Sequence, residues 1–194
     1  MESTKLFIPI LLGTVRQGRE SEKVANLLVK HIANAHPELE TELIDVRNLV
    51  LPQDDEGTQL APRNQHWQET MLRADGLIII APEYNRGYPG SLKGAIDILL
   101  KEYIHKAVGV VGVSSGFVGG ARGIESLLPV LREVGLVSTF TDLYFPRVQD
   151  SFNEDGSPKD EREYKHIDGF LEELTWMAQT LQWGRKNLPS KYHA

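Results

Sequence analysis

The sequence predicts an α/β fold in which a parallel sheet is covered by helices on both faces. Three observations carry that expectation. Short, wholly apolar runs at 6–12, 76–81 and 107–113 have the composition of strands buried on both sides. Stretches with apolar residues at helical spacing separate them, so strand and helix alternate five times along 194 residues. Three of the strands also run directly into loops rich in glycine and polar residues, where open α/β sheets build their ligand sites.

Taken in order, Leu6 to Leu12 forms the first strand, with Pro9 removing one ladder donor and suggesting a bulge or an edge-facing amide. Ser21 to Ala35 forms a helix with Val24, Ala25, Leu28, Ile32 and Ala35 on one face, Ser21 as N-cap and Glu22 in the positive first turn. Thr41 to Val46 is a less apolar second strand nearer an edge, and Asn48 to Ala61 a surface loop. Pro62 to Ala74 is a second helix, Gly76 to Ala81 the third strand and Ser91 to Tyr103 a third helix with Leu92, Ala95, Ile96, Leu99 and Leu100 inward. Ala107 to Val113 is the fourth strand, followed by a glycine-rich loop and a helix reaching about Gly135. Val137 to Phe145 is the fifth strand, Ser151 to Pro158 a polar turn, and Glu161 to Trp183 a long final helix. No linker or internal repeat divides the chain, so residues 1–194 read as a single domain. With the first strand central, the strand order is 2-1-3-4-5, the flavodoxin-like arrangement.

Composition narrows the function. Hydrophobic residues at 41% and charged residues at 25% are ordinary for a soluble globular chain. A formal net charge of -6 argues against a general nucleic-acid binder, which needs a basic face. The absence of cysteine excludes disulfides, a thiol nucleophile, cysteine-ligated zinc and iron–sulfur clusters, and fits a reducing cytoplasm. The amino terminus lacks a signal-peptide pattern, and the apolar run from Leu6 is far shorter than the ~20 residues a bilayer span takes, so no membrane role is expected.

The chemistry lies in three loops. In Gly13-Thr14-Val15-Arg16-Gln17-Gly18-Arg19-Glu20-Ser21, hydroxyls from Thr14 and Ser21, the Arg16 fork and a helix N-terminus together suit a phosphate. The loop is neither a Walker loop nor a G-x-G-x-x-G fingerprint, and a merely polar loop with a capped helix is the alternative. In Pro82-Glu83-Tyr84-Asn85-Arg86-Gly87, the proline stiffens the backbone, three peptide groups face outward to address ring nitrogens and oxygens, and Tyr84 or Tyr88 can lie on a ring face. The Glu83 side chain is expected to be structural, paired to a helix or a subunit neighbour. In Ser114-Ser115-Gly116-Phe117-Val118-Gly119-Gly120-Ala121-Arg122-Gly123, four glycines within eight residues imply tight turns or close approach to a ligand. Arg122 either attracts a phosphorylated co-substrate or makes a surface salt bridge.

These motifs, with Pro89-Gly90-Ser91-Leu92-Lys93-Gly94-Ala95-Ile96-Asp97 and Gly119-Gly120-Ala121-Arg122, resemble the NADPH-dependent FMN reductase family of flavodoxin-like quinone, azo-dye and chromate reductases. Thr14 stands where that family usually has serine, and Gly18 to Ser21 intervene before the next hydroxyl. The resemblance implies a tightly held FMN: Thr14, Arg16 and Ser21 at its phosphate, Pro82, Glu83, Tyr84 and Asn85 at its ring, and Ser115, Gly116 and Phe117 at its pyrimidine side. It also implies NADPH or NADH as co-substrate, a small electron acceptor such as a quinone, and a homodimer or tetramer whose contact involves the third helix. The flavin supplies the reactivity, so no catalytic side chain is assigned. Arg19, Arg86 and Arg122 are candidates for the NADPH 2'-phosphate. The six histidines are scattered, and neither an H-x-x-x-H pair nor a carboxylate cluster calls for a metal. A flavodoxin-like carrier serving a protein partner is the alternative reading, and a non-enzymatic protein on the same fold a third.

Overall fold

The computed structural model describes residues 5–53 and 60–192. The elements are β1 (Leu6–Phe7), β2 (Ile10–Leu12), α1 (Ser21–Ala35), β3 (Leu39–Glu40), β4 (Leu43–Asp45), α2 (Leu60–Arg63), α3 (Gln65–Arg73), β5 (Gly76–Pro82), α4 (Gly90–Ile96), β6 (Lys106–Val113), α5 (Ala121–Glu133), β7 (Leu136–Ser138), β8 (Leu143–Phe145) and α6 (Arg162–Asn187). Among the described residues, all pairings between these strands are parallel. With the interrupted strands counted as one each, they run β3/β4, β1/β2, β5, β6, β7/β8, which is the expected order 2-1-3-4-5.

The apolar runs are explained by what each face covers. Along β5, Leu77, Ile79 and Ala81 join one core cluster while Ile78 and Ile80 join the other. Side chains alternate across a strand, so a strand with helices on both faces needs hydrocarbon at every position. One cluster packs under α1 and α6 through Val24, Leu28, Phe170 and Leu174. The opposite cluster packs under α3, α4 and α5 through Trp67, Met71, Leu92, Ile96, Leu127 and Leu131. Helices thus flank the sheet on two sides, and the carboxyl ends of β2, β5 and β6 are left open between them.

Four details depart from the sequence expectation. Pro9 makes no bulge, because Leu6 pairs with Leu39 and Ile10 with Leu43 at one unbroken register. The amides of Leu6, Ile8 and Ile10 bond the carbonyls of Glu38, Glu40 and Glu42, so position 9 faces β5, where its carbonyl accepts from Ile78 at 2.9 Å. A central strand therefore accommodates proline by losing one bond on one side. The second helix is broken at Asn64, whose side chain takes the Val50 amide and donates to the carbonyls of Val50 and Leu60. Part of the expected loop before it (54–59) lies outside the described residues.

The third helix stops at Ile96. Ile98, Leu99 and Tyr103 are buried while Leu100 is exposed, so the inward set after Ile96 is not the Leu99 and Leu100 expected. Turns replace the helix there. The fifth strand is also interrupted: Ser138 pairs with Val108 and Leu143 with Val111, so five residues span three and the excess loops out with Phe140 in solvent.

The close seat of α6 on the sheet depends on Gly109 in β6. A methyl group there would lie 2.7 Å from Cε2 of the buried Phe170. Gly109→Ala should therefore cost about 1–3 kcal/mol in denaturant unfolding by overpacking. Trimming the ring in a Gly109→Ala/Phe170→Leu double variant should recover part of that loss through non-additivity.

Candidate functional site

A cleft opens where β2, β5 and β6 end. It is lined by Thr14, Arg16, Arg19, Ser21, Pro82, Tyr84, Ser114 and their neighbours. Seven of the ten residues singled out in the sequence face it: Thr14, Arg16, Ser21, Pro82, Glu83, Tyr84 and Ser115. Asn85, Gly116 and Phe117 lie outside its lining, and Phe117 is 79% exposed to solvent.

The first loop is held from beneath by a residue whose role the sequence did not reveal. Arg19 is buried, and its guanidinium is committed to acceptors within the protein. Its guanidinium donates to the Thr14 carbonyl and forks onto Asp45 at the end of β4, with Nη1 2.8 Å from Oδ1 and Nη2 on Oδ2. Nε reaches Glu22 at 3.4 Å. Burial acts to push the Asp45 carboxyl up, but the bonds from Arg19 and from the Arg47 amide outweigh it and hold it below the usual carboxylate range. The pairing with Asp45 in turn raises Arg19. Arg47 ties the outer side of the same loop, donating to the carbonyls of Val15 and Arg16. With its backbone pinned on both sides, the loop points Thr14 and Arg16 into the cleft.

The start of α1 completes that wall. Ser21 is not the N-cap: that position is Glu20, which makes no capping bond with its side chain. The Ser21 hydroxyl is buried, lines the cleft and has no hydrogen-bond partner in the protein. A buried hydroxyl without a partner costs free energy and calls for an external acceptor. It stands at the positive end of a fifteen-residue helix, where anions are favoured. The Glu20 carboxylate on the same wall is paired with Lys23 at 2.7 Å, which offsets its charge.

The second wall is the loop after β5. The Glu83 amide bonds the Val113 carbonyl, and Tyr84 and Gly87 exchange both backbone bonds at 2.8 and 3.0 Å. The two residues between them, Asn85 and Arg86, both take positive φ, 51° and 69°. This is the geometry of a tight primed turn, unusual for an arginine. Of the three peptide groups expected to address a ring, the amides of Glu83 and Tyr84 are thus already used within the protein. Tyr84 instead spans the cleft: its hydroxyl lies 2.6 Å from Thr14 Oγ1, and Arg16 sits 5.6 Å from its ring centre. The Glu83 carboxylate pairs with Arg122 of α5 at 3.2 Å, the structural role expected of it, and Arg122 thereby makes the salt bridge that was one of its two expected roles.

The third wall is the glycine-rich loop folded back over the end of β6. Gly120 has φ of 91°, and a side chain there would run into the Val113 amide at 2.6 Å, so only glycine permits the fold-back. A fourth segment, after β8, was not foreseen. Its Arg147 and Val148 amides bond the carbonyls of Gly116 and Ser114, and Val148 closes the cleft floor. Nothing local in Arg147-Val148 signals this, since the contact is made across the sheet.

The comparisons with known proteins place the chain in a family. The family model for NADPH-dependent FMN reductase matches residues 7–149, and the chain belongs to that family. It is an oxidoreductase that uses FMN and takes electrons from NAD(P)H. The chain is 28% identical over 140 residues to the NAD(P)H-dependent FMN reductase of Saccharomyces cerevisiae, covering 64% of this chain and 72% of that one. It is 36% identical over 128 residues to the quinone reductase of Escherichia coli, covering 62% and 66% respectively. Among solved structures, the flavoenzyme NAD(P)H:(acceptor) oxidoreductase FerB of Paracoccus denitrificans superposes with a TM-score of 0.76 at 25% identity, over 89% of this chain and 98% of that one. Among the described residues, no helix is long and apolar enough to cross a membrane.

The Arg19–Asp45 pair sets a pH-dependent prediction. A carboxyl lowered in the folded state contributes stability that is complete above its unfolded value and lost as pH falls through the folded one. Asp45→Asn leaves the buried guanidinium half-paired and should cost about 3 kcal/mol near neutrality. In denaturant titrations the gap between wild type and variant should narrow steadily on acidification.

Proposed function

We propose that residues 1–194 act as one FMN-binding domain that reduces quinones or similar small acceptors. Thr14, Arg16 and Ser21 would hold the flavin phosphate, and the loop after β5 would hold its ring. The observation that carries this reading is the buried Ser21 hydroxyl without a partner, beside the Thr14 hydroxyl and at the start of α1. A phosphate supplies the acceptor oxygens that this wall lacks. FMN held there would supply the hydride- and electron-carrying chemistry between NAD(P)H and the acceptor.

The chain's own part is positioning. Pro82 ends β5 with its ring in the cleft, and the adjoining amide of Glu83 is fixed to β6, so this wall does not yield as ligands exchange. Tyr84, anchored by its hydroxyl to Thr14, sets the distance between the phosphate wall and the ring wall. Ser114 and Ser115 supply polar groups on the β6 side for the pyrimidine edge. The Phe117 ring, exposed beyond the cleft, offers an apolar rim to a flat acceptor or to a second copy of the chain in a homodimer or tetramer. The cytoplasm is the compartment this reading implies. Of the arginines considered for the 2'-phosphate of NADPH, Arg86 at the exposed turn tip is the one neither buried nor paired to Glu83.

Two measurements test the site. Arg16→Ala should weaken FMN binding about ten- to hundredfold, since charge-assisted bonds contribute roughly 1.5–3 kcal/mol. Ser21→Ala should also weaken it, yet leave the flavin-free protein as stable as wild type or slightly more so, because it removes an unsatisfied buried group. Unchanged flavin content in both would move the phosphate elsewhere. Adding NADPH and then NADH without oxygen should bleach the bound flavin, and quinone should restore the colour. A flavin that stays oxidised with both donors would refute the reductase reading for this chain.

A further inference from the structure

The histidines that look scattered in the sequence are not all scattered in the fold. His31, on the last turns of α1, and His36, which caps its C-terminus, face Asp168 in the second turn of α6. One ligand atom from each lies within 4.8 Å of the others. Nε2 of His31 is 2.6 Å from Asp168 Oδ1, and Nε2 of His36 is 3.0 Å from the same oxygen. Behind them, Nδ1 of His36 meets the Glu38 carboxylate at 3.1 Å, and the His31 ring stacks on Tyr164 with centres 5.0 Å apart. Both imidazoles are mostly shielded (12% and 18% exposed), while the Asp168 carboxylate is half open.

The donors do not balance. A neutral imidazole has one N–H, and an ionised carboxylate only accepts. Two neutral rings therefore provide two donors for three imidazole–carboxylate contacts. One contact sets a ring lone pair against a carboxylate oxygen unless a positive charge bridges it. We propose that this charge is a divalent transition-metal ion, zinc being the representative, held by His31 Nε2, His36 Nε2 and Asp168 with a fourth position left to water.

The donor set fits such an ion. Two imidazoles and one carboxylate suit zinc and its first-row neighbours, whereas calcium and magnesium prefer all-oxygen shells. The bond from His36 Nδ1 to Glu38 is the outer carboxylate that fixes the tautomer of a metal-binding histidine, presenting Nε2 as a lone pair. Ligands about 2.0–2.1 Å from a tetrahedral ion stand roughly 3.3 Å apart, so the His31–Asp168 gap has to widen. The exposed Asp168 side chain has room to do so. The ion would staple the end of α1 to α6, two helices that cover the same face of the sheet but are far apart in sequence. It would sit at the opposite end of α1 from Ser21, about 15 Å away at the helical rise, so its effect is on stability rather than on electron transfer.

The test uses the tag-free protein with the flavin it retains, stripped of metal by dialysis against a chelator. Competition with a chromophoric chelator should show one Zn2+ bound per chain. With free Zn2+ a hundredfold above Kd, the folded-to-unfolded ratio rises about a hundredfold and Tm should rise by about 5–10 °C. Asp168→Asn and the double variant His31→Gln/His36→Gln should lose both effects. His66→Gln, which removes an exposed histidine bonded to Glu42, should retain them. Absence of stoichiometric binding, equal binding by the Asp168 and histidine variants, or binding without a Tm shift would each overturn the proposal. If wild type binds no zinc yet Asp168→Asn lowers Tm in metal-free buffer, the bridging charge is a proton.

Discussion

One buried cation organises the candidate site. Arg19 lies under the loop after β2 and joins it to the loop's own beginning at the Thr14 carbonyl, to the next strand at Asp45 and to the first turn of α1 at Glu22. A guanidinium is suited to this because its planar fork satisfies several acceptors at once and it remains charged at any relevant pH. Such a pair brings little net stability after desolvation, yet losing one partner is expensive. Its contribution is geometric: it makes one loop conformation much better than the others.

That conformation decides what the remaining side chains do. Once the loop backbone is tied down, Thr14 meets Tyr84 across the cleft, and the walls from β2 and β5 are set at a fixed spacing. The turn that carries Tyr84 places two non-glycine residues at positive φ. Strain of this kind persists where the surroundings enforce it, and here the reciprocal Tyr84–Gly87 bonds, the Glu83–Val113 bond and the Glu83–Arg122 pair do so. A planar cofactor needs such rigid walls, because its contacts are numerous and individually weak.

How much of this was legible in the sequence follows from the range of the interactions. Strand order, both faces of the core and the three loops follow from local pattern, since period-two and helical spacing are set by neighbours in the chain. Thr14, Arg16 and Ser21 were legible as cleft residues because they lie in one contiguous loop. The pairing of Arg19 was not legible because its partner, Asp45, sits on another strand. The third helix was drawn too long because its apolar spacing continues past Ile96, whereas the chain there runs through turns with Ile98 buried and Leu100 exposed. Val148 could not be found at all, since its place in the cleft depends on a fold-back that only the assembled sheet defines.

The histidine cluster is the extreme case of that limit. His31 and His36 lie five positions apart, a spacing that an unbroken helix would place on different faces. The helix ends at Ala35, and the turn at His36 brings its ring back beside His31. The third member arrives on α6, and α6 comes close enough because Gly109 lets Phe170 rest against β6 two residues after Asp168. The same seat of the last helix on the sheet thus fills the core and completes the cluster. A change that lifts α6 would disturb both together, whereas a change at Asp168 should leave the seat intact, since its carboxylate is half exposed and Asp168 is not among the core residues beneath α6.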